Sequence, residues 1–124
     1  MRAFVDSTGY VKLWLHPNGT WLLNVHGRPL ALVDGDSVYD LRGRHVGWWT
    51  GAEVRDHDGR LVVADLNAVQ LKGDMPPWHP RPLPPTVGTN MPVRPTLGLR
   101  PLRSPNRLDW ANPSVFINSL LVSA

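Results

Sequence analysis

RHVGWWTGAEVRDHDGRLVV, residues 44–63, holds two adjacent tryptophans and glycines at 47, 51 and 59 around a DHDG turn set between two short apolar runs. Its register recurs along the chain. An Asp or Asn followed three positions later by Gly occurs at Asp6/Gly9, Asn24/Gly27, Asp40/Gly43 and Asp56/Gly59, with glycine spacings of 18, 16 and 16. Two residues before each Asp or Asn stands Phe4, Leu22, Val38 or Val54, and five after each Gly stands Trp14, Leu32, Trp48 or Ala64.

Each unit has a direct physical reading. Asp or Asn at the first position and Gly at the fourth suit a type I turn: the side chain caps backbone N–H groups and Gly takes the left-handed conformation. Such a turn joins two antiparallel strands with a glycine bulge. The strands that follow are VKLWL, PLALV, HVGWW and LVVAD, and a second turn rich in Gly, Asn and Asp follows the first three of them. Four hairpins, about eight short strands and no helical periodicity before residue 66 predict an all-β fold. Units this short cannot bury an apolar face alone, and open sheet edges aggregate, so a closed pseudo-fourfold ring of hairpins, a shallow antiparallel barrel, is expected. The sets Phe4/Leu22/Val38/Val54 and Trp14/Leu32/Trp48/Ala64 are then expected as two internal layers. Alternation along a strand sends one of Trp48 and Trp49 inward and the other outward, and the layers assign Trp48 to the core.

Of 13 prolines only Pro17 and Pro29 precede Pro76. Charge changes at the same place: residues 1–72 carry 8 basic and 8 acidic side chains, and the net +3 lies in the tail, where Arg81, Arg94, Arg100, Arg103 and Arg107 face Asp74 and Asp109. The chain therefore divides into a four-hairpin domain (1–72), a Pro/Arg-rich extended segment (73–105) and a short apolar C-terminal segment (106–124). Proline at nearly every third residue excludes helix and interior strand from the middle segment. In the last, Asp109 or Asn112 with Pro113 is expected to start a short helix carrying Val115, Phe116, Leu120 and Leu121, docked on the barrel or on a partner.

The run GRPLALVDGDSVYDLRGRHVGWWTGAEVRDHDGRLVV, with LVDGDSVYDLRG, GRHVGWW and VRDHDG as its most specific pieces, resembles the bacterial four-fold β-flower domain family. The resemblance covers roughly residues 4 to 66; the first repeat departs from it by two extra residues and Lys12, and the Arg-Pro tail also resembles that of the family. It implies consecutive hairpins as petals of a shallow barrel. The likeness of that barrel to Tubby-type C-terminal barrels implies lipid binding.

The chemistry-bearing residues exclude more than they assign. No cysteine is present, which removes disulfides, thiolate zinc sites and thiol catalysis. Asp34/Asp36 and Asp56/Asp58 have calcium-loop spacing but lack the later Glu, and turn capping accounts for them, so no metal is expected. His16, His26, His45 and His57 read as exposed turn histidines with no accompanying nucleophile, so no catalytic residue and no cofactor are expected. RPLPP at 81–85 has the pattern of a polyproline ligand but reads as a stiff spacer. Arginines spread singly along a tail make no concentrated nucleic-acid footprint. With no signal-peptide run and no apolar stretch of ~20 residues, a cytoplasmic, non-membrane-spanning protein is expected.

The resulting expectation is a non-enzymatic β domain binding a lipid or other apolar ligand in its barrel or through Trp21, Trp48 and Trp49. The alternative is a protein-interaction module acting through the Arg-Pro tail and the terminal apolar segment, with self-association as one form of it.

Overall fold

The computed structural model describes residues 1–68, 75–88 and 90–123, the last three by backbone alone. The expected boundary between residues 72 and 73, Asp74 and the side chain of Leu121 lie outside the described residues. Eight strands form one antiparallel sheet: β1 (Arg2–Val5), β2 (Val11–Leu15), β3 (Trp21–Leu23), β4 (Pro29–Asp34), β5 (Ser37–Asp40), β6 (His45–Trp49), β7 (Glu53–Arg55) and β8 (Leu61–Ala64). Each pairs with the next, and Val5 of β1 meets Ala64 of β8, so the sheet closes into a barrel without free edges.

The four Asp/Asn-x-x-Gly turns all sit on the odd-to-even connections, and every such hairpin carries the same irregularity. Phe4 pairs with Leu13 but Val5 with Val11; Leu22 with Ala31 but Leu23 with Pro29; Val38 with Gly47 but Tyr39 with His45; Val54 with Val63 but Arg55 with Leu61. The extra residue is Lys12, Leu30, Val46 or Val62, always three after the turn glycine. A bulge shifts side-chain parity by one, so every residue after it faces opposite to a count of simple alternation.

That shift corrects one of the two expected layers. Phe4, Leu22, Val38 and Val54 do line the interior, with Leu13, Leu15, Leu30, Ala31, Val62 and Val63. Trp14 and Leu32 instead belong to a second cluster on the outer face, with Val5, Val11, Trp21, Leu23 and Tyr39, and Trp48 and Ala64 share their register. The tryptophan pair is accordingly reversed. Trp49 tilts against Phe4 at 5.4 Å inside, whereas Trp48 lies outside against His45.

The interior is completed by helix α1 (Pro113–Ser123). Asn112 caps it, its Oδ1 accepting from the Ser114 N–H at 2.9 Å, and Pro113 occupies the first turn, where its missing N–H costs nothing. One turn apart, Phe116 and Leu120 are buried among the interior barrel residues, while Val115 is exposed. Space for Phe116 comes from Gly47, whose position would set a Cβ 3.3 Å from the ring. The approach to α1 is fixed on β8, where Leu61 N–H donates to Asp109 O and Ala111 N–H to Leu61 O.

Candidate interaction surface

The Asp/Asn-x-x-Gly turns are built alike. Asn24, Asp40 and Asp56 each accept two backbone N–H groups on Oδ1 at 2.9–3.0 Å, and Asp6 accepts from Thr8. The glycine N–H closes each turn on the carbonyl of the first residue, and Gly9, Gly27, Gly43 and Gly59 have φ between 82° and 87°. These glycines are buried, whereas Gly19, Gly35 and Gly51 of the opposite turns, also at positive φ, are exposed.

What buries them is the proline-rich segment, which encircles the barrel as a belt. Carbonyl oxygens of Pro77, Thr86, Thr96 and Pro105 stand 1.8, 2.4, 1.9 and 2.1 Å from where a Cβ would be on Gly9, Gly27, Gly43 and Gly59. Barrel units of 16 to 18 residues are thus matched by belt units of 9 or 10. Between contacts, Val87, Met91 and Leu97 pack inward on the outer aromatic cluster. Gly98 N–H donates to Gly43 O at 2.7 Å and Arg107 N–H to Gly59 O at 2.9 Å. Tyr10 stacks on His79 at 3.9 Å. Three residues ahead of the last three carbonyls stand Leu83, Val93 and Leu102, each after a proline and 91%, 92% and 98% exposed.

Belt arginines meet barrel acids. Arg94 pairs with Asp34 at 3.1 Å, Arg100 with Asp36, and Arg103 lies over the Trp48 ring at 5.5 Å. Both Arg94 and Asp34 are about half exposed, so solvent screens the pair. Arg94→Gln is expected to lower the unfolding free energy by no more than about 1 kcal/mol in urea titrations. Carbonyl contacts and apolar packing, more than exposed ion pairs, hold the belt.

Residues 2–116 match the family model described as 4-fold beta flower protein. The chain belongs to that family. The match takes in all eight strands, the whole belt and the first turn of α1, so in this beta flower protein the belt is part of the family's domain. No curated protein and no solved structure matches the chain.

Within this beta flower fold the expected ligand tryptophans separate. Trp21 and Trp48 are buried on the outer face and Trp49 is half-buried toward the interior, so they form no common aromatic surface. Barrel and belt instead bring together groups that were not paired from sequence. His45 is not an exposed turn residue: it is buried at the start of β6, two after Gly43, in the register of Val11, Pro29 and Leu61. That register was the available signal for it. Its Nδ1 lies 2.9 Å from His57 Nε2, its Nε2 3.1 Å from Ser37 Oγ, and Ser37 donates to Asp36 at 3.0 Å. A serine therefore does accompany a histidine, contrary to expectation. Ser37 is wholly buried, out of reach of a substrate. Burial first, then the neighbouring His57, pushes the His45 pKa below its usual 6.5.

Arg55 is the other residue that sequence reasoning passed over. Buried on β7, it donates through Nη1 to Gly59 O and Arg107 O, both at 2.8 Å, and through Nη2 to Glu53 Oε2 at 3.3 Å. The expected helix start resolves to Asn112, while Asp109 pairs with Arg107 and Arg60. Among the described residues, no three His, Cys, Asp or Glu side chains converge as metal ligands, and no helix is long and apolar enough to cross a membrane.

Proposed function

We propose that this chain is a non-enzymatic protein-interaction module whose contact surface is the solvent face of its belt. The observation that carries the reading is the recurrence of Leu83, Val93 and Leu102 in one register, each more than nine-tenths exposed. Isolated exposed apolar side chains are ordinary on any surface. Three at matched positions around a pseudo-fourfold barrel are not isolated, and a partner with repeated apolar pockets gains from engaging them together. Stability does not account for them, since side chains this exposed contribute little to folding: replacing all three with Ser is expected to shift stability by under about 1 kcal/mol.

The test is a photo-crosslinking amino acid placed in turn at Leu83, Val93 and Leu102 in cells, with the exposed turn residue Asn18 as control. The same adduct at the three belt positions and its absence at Asn18 is the expected result. No adduct, or one shared with Asn18, would refute this reading.

A lipid or other apolar ligand inside the barrel is the second reading, favoured by the way α1 enters. Phe116 and Leu120 are interior side chains contributed from outside the strands, and they stand where such a ligand would lie. A ligand there has to exchange with α1. Native mass spectrometry of the gently purified protein checks it: an apolar adduct that grows in Phe116→Ala supports exchange, and bare protein in both forms rejects it.

A further inference from the structure

The geometry points to an acid-sensitive latch, in which the His45–His57 contact holds the last part of the belt on the barrel and opens when His45 takes up a proton. The inference is independent of what the belt binds. Hydrogen-bond direction around His45 is fixed from one end. Ser37 Oγ donates its proton to Asp36 Oδ1, which also accepts from Arg100, so Ser37 can only accept from His45 Nε2–H. With its proton on Nε2, neutral His45 presents Nδ1 as an acceptor, and the partner 2.9 Å away, His57 Nε2, must be the donor. Each donor in the series His57 Nε2, His45 Nε2 and Ser37 Oγ then meets an acceptor with both rings neutral.

The two histidines are not equivalent in acid. His57 is exposed and has a second nitrogen, so it can be protonated while still donating to His45. His45 cannot. A proton on its Nδ1 would oppose the His57 Nε2–H across 2.9 Å, and relief requires His57 to swing out or surrender its own proton.

The charges around His45 point the same way. On β5 and the turn before it stand Asp36, already shared by Ser37 and Arg100, and Tyr39, whose ring is edge-on at 5.3 Å. Just before its strand, Arg44 pairs with Asp40, and on the strand Trp48 lies 4.5 Å away with Arg103 of the belt over its ring. Arg55, the cross-strand neighbour of Trp48, is turned to Glu53, Gly59 and Arg107. A cationic His45 would therefore face Arg100, with one carboxylate already engaged.

His57 lies in the turn that secures the end of the belt. Gly59 of that turn receives the Arg107 N–H, and the Pro105 carbonyl rests against its Cα. An outward swing of His57 loosens belt residues 103–107 and the lead into α1, whereas surrender of its Nε2 proton would leave them in place. The sign follows from linkage: the latched state holds the His45 pKa below 6.5, so latching is complete above that pH and weakens as pH falls through it. If the open state protonates His45 normally and the latched state takes up no proton, opening at pH 5.5 is favoured about tenfold over pH 7.5, which is the largest effect this linkage gives.

Hydrogen exchange by NMR on the full chain reads this directly, after correction for intrinsic rates. Protection of the Arg107 amide should fall, by up to about tenfold, between pH 7.5 and 5.5. The Val33 amide, bonded to Thr20 O at 2.7 Å on the barrel, should hold. In His45→Gln the Arg107 difference should vanish. Equal loss at Val33, constant protection at Arg107, or an undiminished fall in His45→Gln would each overturn the latch. If that variant does not fold, the Hε1 resonance of His45 in the unaltered protein decides. A midpoint below 6.5 that tracks the loss at Arg107 supports the latch, and a midpoint at or above 6.5 rejects it.

Discussion

Gly43→Ala is expected to destabilise the protein by about 2–5 kcal/mol, and Gly35→Ala by only about 1–2 kcal/mol. Both glycines have positive φ, 87° and 60°, so a side chain at either costs the left-handed penalty. They differ in what the new methyl would meet. At Gly35 nothing lies within 4 Å. At Gly43 the Cβ would stand 1.9 Å from Thr96 O and 2.9 Å from its carbonyl carbon, both backbone atoms that no rotamer change removes. The belt has to lift, which breaks the Gly98 N–H bond to Gly43 O and draws Leu97 off the outer aromatic cluster. Overpacking of this kind adds about 1–3 kcal/mol to the conformational term. Urea unfolding of the two variants measures the difference, and coincident midpoints would mean that the belt does not rest on Gly43.

The same glycines show what was legible in the chain and what was not. Asp6/Gly9 and its three counterparts announce turns because the side-chain chemistry of a turn is local, and four copies at nearly constant spacing are enough to infer a closed ring of hairpins. Their second duty, admitting a carbonyl of the belt, was hidden, because positive φ alone already explains a glycine and a backbone oxygen has no residue identity. The parity of Trp14, Leu32, Trp48 and Ala64 was missed because a bulge at Leu30 or Val62 leaves only two consecutive apolar residues as its trace. The belt had a readable period, Pro82-Leu83, Pro92-Val93 and Pro101-Leu102 above all, but prolines suppress the strand and helix patterns by which a docked segment is usually recognised. His45 reads from sequence as an exposed turn residue, and Arg55 carries no signal at all, for a related reason. Each replaces an apolar outer-face residue in its repeat, and only the folded barrel and belt bring His57 to His45 and Arg107 to Arg55, while Glu53 stands two residues before Arg55 on the same strand.

Arg55→Ala carries the second large effect, an expected loss of about 3–5 kcal/mol. Val5, Leu23 and Tyr39 hold the corresponding place in the first three hairpins, so the fold itself does not demand a cation there. What demands it is the company. The side chains of Arg55 and Glu53 are 10% and 11% exposed, and truncation would leave the Glu53 carboxylate buried with only a 3.4 Å contact from the Thr50 hydroxyl. It would also strip the guanidinium from the Gly59 and Arg107 carbonyls, two of the groups that join the final turn to the end of the belt. The cost therefore belongs mainly to stranded partners, which makes it separable. A Glu53→Leu/Arg55→Leu double variant removes both charges and restores the apolar character of the other repeats, and it is expected to recover most of the loss, because well-packed apolar replacements for a buried ion pair are often neutral or stabilising. A double-mutant cycle by chemical denaturation supplies the comparison. A loss below about 1 kcal/mol for Arg55→Ala would mean that the pair is solvated. A double variant no better than the single would instead place the cost in the belt carbonyls, and with it the main anchor of the last belt contact.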